Sequence, residues 1–250
     1  MLAPDEGGPA IVRAGEAAAR FVLVADHAGN AIPRALGDLG LAADERARHI
    51  AWDIGIAGVT EALSLLLDAP AVLQTYSRLV IDCNRDPARA DAIPEVSDGT
   101  PVAGNVGLAS SDRDARVAAI HAPYHAAIAG ALARASAPIL VALHSFTPAM
   151  AGFARPWHAG VLHDRGDTRF SDAVLAQLRD RVAGPVGDNE PYAMSGIDYT
   201  VPYHCYEAAR PYAEIEIRQD LIADSDAQQR WAELLAEVLR GALSQAGTGG

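Results

Sequence analysis

The chain has 250 residues, half of them hydrophobic and 21% charged, enough for one large α/β domain with a substantial core and unlike the composition of a disordered chain. A formal net charge of −12 repels phosphate backbones and argues against nucleic acid as a partner, although a local arginine cluster can still hold a small anion. No apolar run approaches the roughly 20 residues of a membrane span, and the acidic, Gly/Pro-bearing start lacks a signal peptide's basic and apolar stretches, so the expectation is a cytoplasmic protein with no membrane contact.

Residues 1–19 read as a loose arm. Phe21–Ala25 is an apolar run bounded by the turn-forming Asp26-His27-Ala28-Gly29-Asn30, which predicts a buried strand ending in a loop. From Asp44 to Asp68 apolar residues recur at helical spacing, with Gly55 and Gly58 marking close packing or a break. Ala71–Gln74 and Leu79–Cys83 read as strands, and the Pro/Gly/Asp/Ser-rich 86–112 as a long loop of the kind that often carries function. Asp112–Ala135 reads as a helix capped by Ser111/Asp112. Pro138–Leu143 is the clearest buried strand and runs into His144-Ser145. A strand at His158–Leu162, a helix at Thr168–Val182, a turn-rich 184–202, an alternating strand at Ala213–Arg218 and a closing helix at Asp226–Leu243 follow, with a frayed tail over 244–250. Strands alternating with helices define an α/β layered domain, a single one over 1–250, with a mostly parallel or mixed sheet. Cys83 and Cys205 read as reduced packing thiols.

In such sheets, polar residues just past strand carboxyl ends face the ligand crevice. Asp26-His27, Asp82-Cys83-Asn84-Arg85, His144-Ser145 and Glu214/Glu216/Arg218 are of that kind. His27 and His144 suit zinc, which takes three protein ligands in catalytic sites and leaves a place for water. Asp53 is the leading third ligand; His49, four residues before it, is its rival or a supporting partner. Each histidine alone also reads as a hydrogen-bonded structural residue. Glu216 is placed to move a proton between water and a leaving amine, or it lies on a solvated strand face paired with Arg218. Arg78, Asn84 and Arg85 offer donors for a substrate carboxylate, unless Asp82 and Asp86 simply neutralise them. His204 is a candidate for polarising a carbonyl, or a turn histidine without chemistry. There is no nucleophile elbow, phosphate loop or dinucleotide fingerprint. Ser145 next to His144 is not a natural dyad, because adjacent strand residues point apart.

Six motifs occur in order: Asp-His-Ala-Gly-Asn (26–30), His-Ile-Ala-Trp-Asp-Ile-Gly (49–55), Ser-Arg-Leu-Val-Ile-Asp-Cys-Asn-Arg (77–85), His-Ser-Phe-Thr-Pro (144–148), Gly-Asp-Asn-Glu-Pro-Tyr (187–192) and Glu-Ile-Arg-Gln-Asp-Leu-Ile (216–222). Together they resemble the N-formylglutamate amidohydrolase family, more closely the branch known as predicted N-formylglutamate amidohydrolases, from about residue 20 to about residue 240. That family is similar to zinc carboxypeptidases and zinc muramoyl amidases. The resemblance implies a three-layer α/β/α sandwich of phosphorylase/hydrolase-like type with a mixed central sheet, and one zinc ion. It implies His27, Asp53 and His144 as metal ligands, Glu216 as general base, and Asn84, Arg85 and Arg218 on the substrate side. Arg78 and His204 become candidates for stabilising the oxyanion. The carboxypeptidase pattern His-x-x-Glu is broken here, since position 30 is Asn, so the carboxylate ligand is assigned to Asp53 by inference. The implied reaction is hydrolysis of an N-formyl or other small N-acyl amino acid, giving formate and the free amino acid in amino-acid catabolism. A zinc amidase or carboxypeptidase for another N-acyl amino acid or small peptide, or a non-catalytic binding module on the same fold, are the alternatives.

Overall fold

The structure is a computed structural model and describes residues 1–16, 19–194 and 196–247. Its strands are β1 (Ala10–Arg13), β2 (Phe21–Ala25), β3 (Ala71–Gln74), β4 (Val96–Ser97), β5 (Thr100–Pro101), β6 (Ile139–Phe146), β7 (Ala149–Met150), β8 (Phe153–Ala154), β9 (Ala159–Leu162), β10 (Val186–Asp188) and β11 (Tyr212–Arg218). Its helices are α1 (Ala43–Ala47), α2 (Ile56–Leu67), α3 (Ser110–Arg116), α4 (Ala122–Arg134), α5 (Arg169–Arg181) and α6 (Ser225–Gln245). Seven strands form one mixed sheet in the order β1-β3-β2-β6-β11-β9-β10. β3, β2, β6 and β11 run parallel, β1 is antiparallel to β3, and β9 is antiparallel to β11.

The alternation of side chains along a strand assigns β2 to two cores at once. Phe21, Leu23 and Ala25 pack with Ile56, Val59 and Leu63 of α2, and with residues of α5 and α6. Val22 and Val24 pack on the other face with Tyr124, Ile128 and Leu132 of α4 and with Leu79 and Ile81. Helices therefore cover both faces, giving the expected three-layer α/β/α arrangement, and strands buried on both faces read as the continuous apolar runs seen in the sequence. Among the described residues no helix is long and apolar enough to cross a membrane. Cys83 and Cys205 are both buried and free.

Several elements differ from expectation for physical reasons. The N-terminal arm holds an edge strand, β1, hydrogen-bonded to β3; Ala17 and Ala18 lie outside the described residues. Leu79–Cys83 is not a strand: the run is buried, but its backbone goes to turns, with Val80 N donating to Ser77 O and Asp82 N to Ala92 O. The 44–68 helix is two helices, because Gly55 adopts φ +84° at the N-cap of α2. The 112–135 helix begins at Ser110 with Ala109 as N-cap, so the Ser111/Asp112 cap is not formed, and a π-helical turn at Val117–His121 separates α3 from α4. β10 lies inside the turn-rich 184–202 segment. α6 runs to Gln245, into the tail expected to fray; residues 248–250 lie outside the described residues. β6 continues through Phe146, which places His144 and Ser145 within the strand rather than beyond it.

Candidate metal centre and its cleft

Where β2 ends at Ala25, the chain turns and carries Asp26 and His27 over the sheet edge. The segment between α1 and α2 is tied to that turn, since Asp53 N donates to His27 O at 2.9 Å. His144 enters from β6, next to β2 in the sheet. Asp53 Oδ2 then lies 3.0 Å from His144 Nδ1 and 3.4 Å from His27 Nδ1. One ligand atom from each of His27, Asp53 and His144 falls within 4.8 Å of the others. The three residues are only 2%, 4% and 2% exposed.

Each histidine has a carboxylate at its far nitrogen. His27 Nε2 is 2.7 Å from Asp82 Oδ1, and His144 Nε2 is 3.4 Å from Asp26 Oδ2. His27 Nδ1, 3.4 Å from Asp53 Oδ2, makes no hydrogen bond; in the neutral ring that a metal ligand needs, Nε2 donates to Asp82 and Nδ1 presents its lone pair beside that shared carboxylate. A buried nitrogen left without a partner is costly in a purely structural cluster. Outer carboxylates that fix ring orientation are what metal-binding histidines ordinarily have, so the residues present fit a divalent ion. Burial pushes the Asp26, Asp53 and Asp82 carboxyls up, but the neighbouring histidines, and Arg78 at Asp82, outweigh it and hold all three below the usual range. Burial pushes the His27 and His144 rings down, yet the surrounding carboxylates leave both raised.

The centre opens into a cleft of about 300 Å³, the scale of a small-molecule pocket. Glu214 and Glu216, on one face of β11, both line it, and Glu216 stands in register with His144. Burial raises Glu216 to about 7 and Glu214 well above the ordinary carboxylate range. One oxygen of each, Oε2, has no hydrogen-bond partner. Glu216 also faces Gly160 of β9, where a Cβ would lie 2.0 Å from Glu190 O, so the chain carrying Tyr192 closes against the sheet here only because position 160 has no side chain. The Tyr192 hydroxyl accepts from Arg155 Nη1 at 2.9 Å, and the Arg155 guanidinium lies 4.6 Å from the ring centroid.

Of the two rivals for third ligand, Asp53 is the one placed beside the histidines. His49 lines the cleft but faces Asp98, with Nε2 3.3 Å from Oδ2. Arg78 lines the cleft and forks onto Asp82 at 2.8 and 3.2 Å, with Nη1 3.5 Å from Asp53 Oδ1. Arg85 and Asn84 line it too. The Asn84 amide is occupied: its Oδ1 accepts from Tyr199 N and Thr200 N, and its Nδ2 donates to Asp198. Two expected site residues are not brought to the cleft. His204 sits on a π-helical turn, Pro202–Tyr206, that aims its Nε2 at His125 Nδ1, 3.0 Å away, within an aromatic cluster with Tyr199 and Tyr203. Arg218 forks onto Asp220 and reaches the carbonyls of Arg155, Pro156 and Trp157, because the strand ends there and the chain turns back. It therefore makes no pair with Glu216. The Ser145 hydroxyl donates to Ile54 O at 2.9 Å and is not presented as a nucleophile.

Asp26 and Asp82 stand out at strand ends in the sequence, but their pairing does not. Asp82 serves a histidine 55 positions away, and Asp26 adjoins His27 yet faces His144. Tyr192 carries only the general signal of an aromatic residue in a turn-rich segment.

The layered mixed sheet and the buried His-Asp-His cluster at the mouth of its parallel strands define an α/β/α protein with a candidate metal centre. The family model of N-formylglutamate amidohydrolase matches residues 19–223, and the chain belongs to that family, one of hydrolases acting on amide bonds. Among solved structures it is similar to the gene product Atu2144 from Agrobacterium tumefaciens, at 37% identity and TM-score 0.91, over 97% of this chain and 98% of that one. It also shares the fold of N-formylglutamate amidohydrolase from Ralstonia eutropha JMP134, at 22% identity and TM-score 0.70, over 95% and 98% of the two chains. A comparison with curated proteins gave no significant match.

Proposed function

We propose that the protein is a zinc-dependent amidohydrolase that cleaves an N-formyl, or other small N-acyl, amino acid into formate (or the corresponding acid) and the free amino acid. The observation that carries this proposal is the pair of buried imidazoles whose Nδ1 atoms converge on Asp53, with Glu216 in register beside His144. His27, Asp53 and His144 would hold the ion. Zinc at such a site acts as a Lewis acid and lowers the pKa of water.

The remaining work belongs to the chain's own groups. Glu216, held near neutrality by burial, accepts the proton of the attacking water and returns it to the departing nitrogen. The Arg78 guanidinium, fixed by Asp82 and Asp53, faces the cleft where negative charge develops on the carbonyl oxygen. Arg85 takes the substrate carboxylate, while Asn84 anchors the 198–200 segment beside it. Formate release from a panel of N-formyl amino acids, with and without a chelator, tests the assignment. Release that stops with chelator and returns with zinc is expected. Release indifferent to chelator, or none from any member of the panel after zinc loading, overturns it.

A further inference from the structure

The segment 187–192 carries Tyr192 to the cleft and holds it there. Asn189 Oδ1 accepts from His163 N at 3.0 Å and from Met194 N at 3.2 Å, which ties the turn on both sides. Glu190 O packs into the space that a Cβ at Gly160 or Gly187 would fill. Gly160 is paired with Glu216, and paired residues of neighbouring strands send their side chains to the same face. The turn therefore lies on the sheet face that carries the Glu216 carboxyl. Tyr192, two residues on, lines the cleft with 39% of its surface exposed. Its hydroxyl sits in the field of Glu216, Arg155 and Arg78. Arg155 Nη1 donates to that hydroxyl at 2.9 Å, and an arginine has no acceptor to offer in return, so the phenol proton has no acceptor among the described residues. Arg155 itself is 7% exposed and makes no ion pair among the described residues. Its guanidinium reaches Thr147 O, Met150 Sδ and the Tyr192 ring. A buried charge without a counter-charge is costly. A guanidinium that donates to a phenol oxygen strengthens that phenol as a donor. Burial, with the Glu216 carboxyl, outweighs Arg155 and raises the hydroxyl above its ordinary pKa, so it keeps its proton at neutral pH.

We propose that Tyr192 is a catalytic residue whose hydroxyl donates a hydrogen bond to the oxygen of the attacked carbonyl, beside Arg78, and that Arg155 is the positioning residue that aims and polarises it. This rests on the amidohydrolase reading above. The phenol keeps its proton throughout, and the proton of the attacking water still travels through Glu216, so no further transfer is introduced. Negative charge grows on the carbonyl oxygen only as the bond to water forms. The contact therefore strengthens in the transition state and acts on kcat rather than on KM.

The test uses the zinc-loaded full chain and the N-formyl amino acid from which it releases formate fastest. Tyr192→Phe is expected to lower kcat by about 100-fold, with KM and zinc content little changed. Arg155→Met is expected to lower kcat by about tenfold in the wild-type background and to add nothing in Tyr192→Phe, while Arg155→Lys recovers part of the loss. Should Arg155→Met fail to fold by circular dichroism, Arg155→Lys takes its place in the cycle. An equal cost of the Arg155 change in both backgrounds overturns its positioning role. The N-methylphosphonyl derivative of L-glutamate reads the donor without turnover, because a tetrahedral, negatively charged P–O group stands where the carbonyl would be. Wild type is expected to bind it about tenfold or more tightly than Tyr192→Phe. Absence of formate release from every N-formyl amino acid, with the analogue still held more tightly by wild type, would overturn the deformylase assignment and leave Tyr192 as the donor. A kcat unchanged in Tyr192→Phe, a loss confined to KM, or an analogue bound equally or not at all by the two proteins overturns the role of Tyr192.

Discussion

Asp82 and Asp26 act on the centre without belonging to it. Asp82 hydrogen-bonds the far nitrogen of His27 and also fixes Arg78, and Asp26 stands 3.4 Å from the far nitrogen of His144. Outer carboxylates of this kind are typically worth 10- to 100-fold in metal affinity. Asp82→Asn is therefore expected to weaken zinc binding by about that factor in a competition titration against a chelating dye, with the fold retained. Glu216→Gln separates chemistry from binding: zinc content is expected to stay while formate release falls by about two orders of magnitude or more. Ser145→Ala, by contrast, is expected to keep activity, since its hydroxyl serves the Ile54 carbonyl. At this scale the sequence shows which side chains stand at strand ends, because apolar runs flank His27 and His144. It does not show which atoms meet. His204 and Arg218 look as available as Arg78 in one dimension, and only the π-helical turn and the chain reversal after β11 send them elsewhere.

At the scale of elements, the strands buried on both faces are legible because apolar residues make up most of each, all of β2 and the first five of β6. β1 is not: as an edge strand its residues are half-buried or exposed, so its composition resembles a loop. Leu79–Cys83 misleads in the opposite sense, since burial without a partner strand produces the same apolar run. Gly55 is the hinge on which the centre depends, two residues after Asp53. Its φ of +84° is left-handed, and a Cβ there would lie 2.3 Å from Ile222 O. Gly55→Ala is expected to cost about 2 kcal/mol or more of stability, from backbone strain and steric displacement together. It should also loosen zinc by shifting Asp53. Denaturant unfolding and metal titration of the same variant check the two effects.

Across the whole molecule, a second buried histidine group behind the metal centre couples stability to pH. His125 is held down to about 3 and His204 to about 4, chiefly by burial, opposed in part by Asp26. His125 Nε2 faces Cys83 O, and its Nδ1 faces His204. An unfolded histidine titrates near 6.5. Between about pH 4 and 6.5 the unfolded chain therefore binds up to two more protons at these positions than the folded one, and folding weakens as pH falls through that window. Unfolding free energies of the zinc-loaded chain are expected to drop from pH 7 to pH 5, with a shallower slope in His204→Gln. This coupling is not legible in the sequence, because residues 79 positions apart form the pair.

Zinc stoichiometry tests the central claim most directly. The purified full chain, reconstituted and freed of loose metal, is expected to carry one zinc ion per chain, and His144→Ala to carry almost none at the same free zinc. A wild-type chain that holds no zinc, or a His144→Ala chain that holds as much as the wild type, would contradict it.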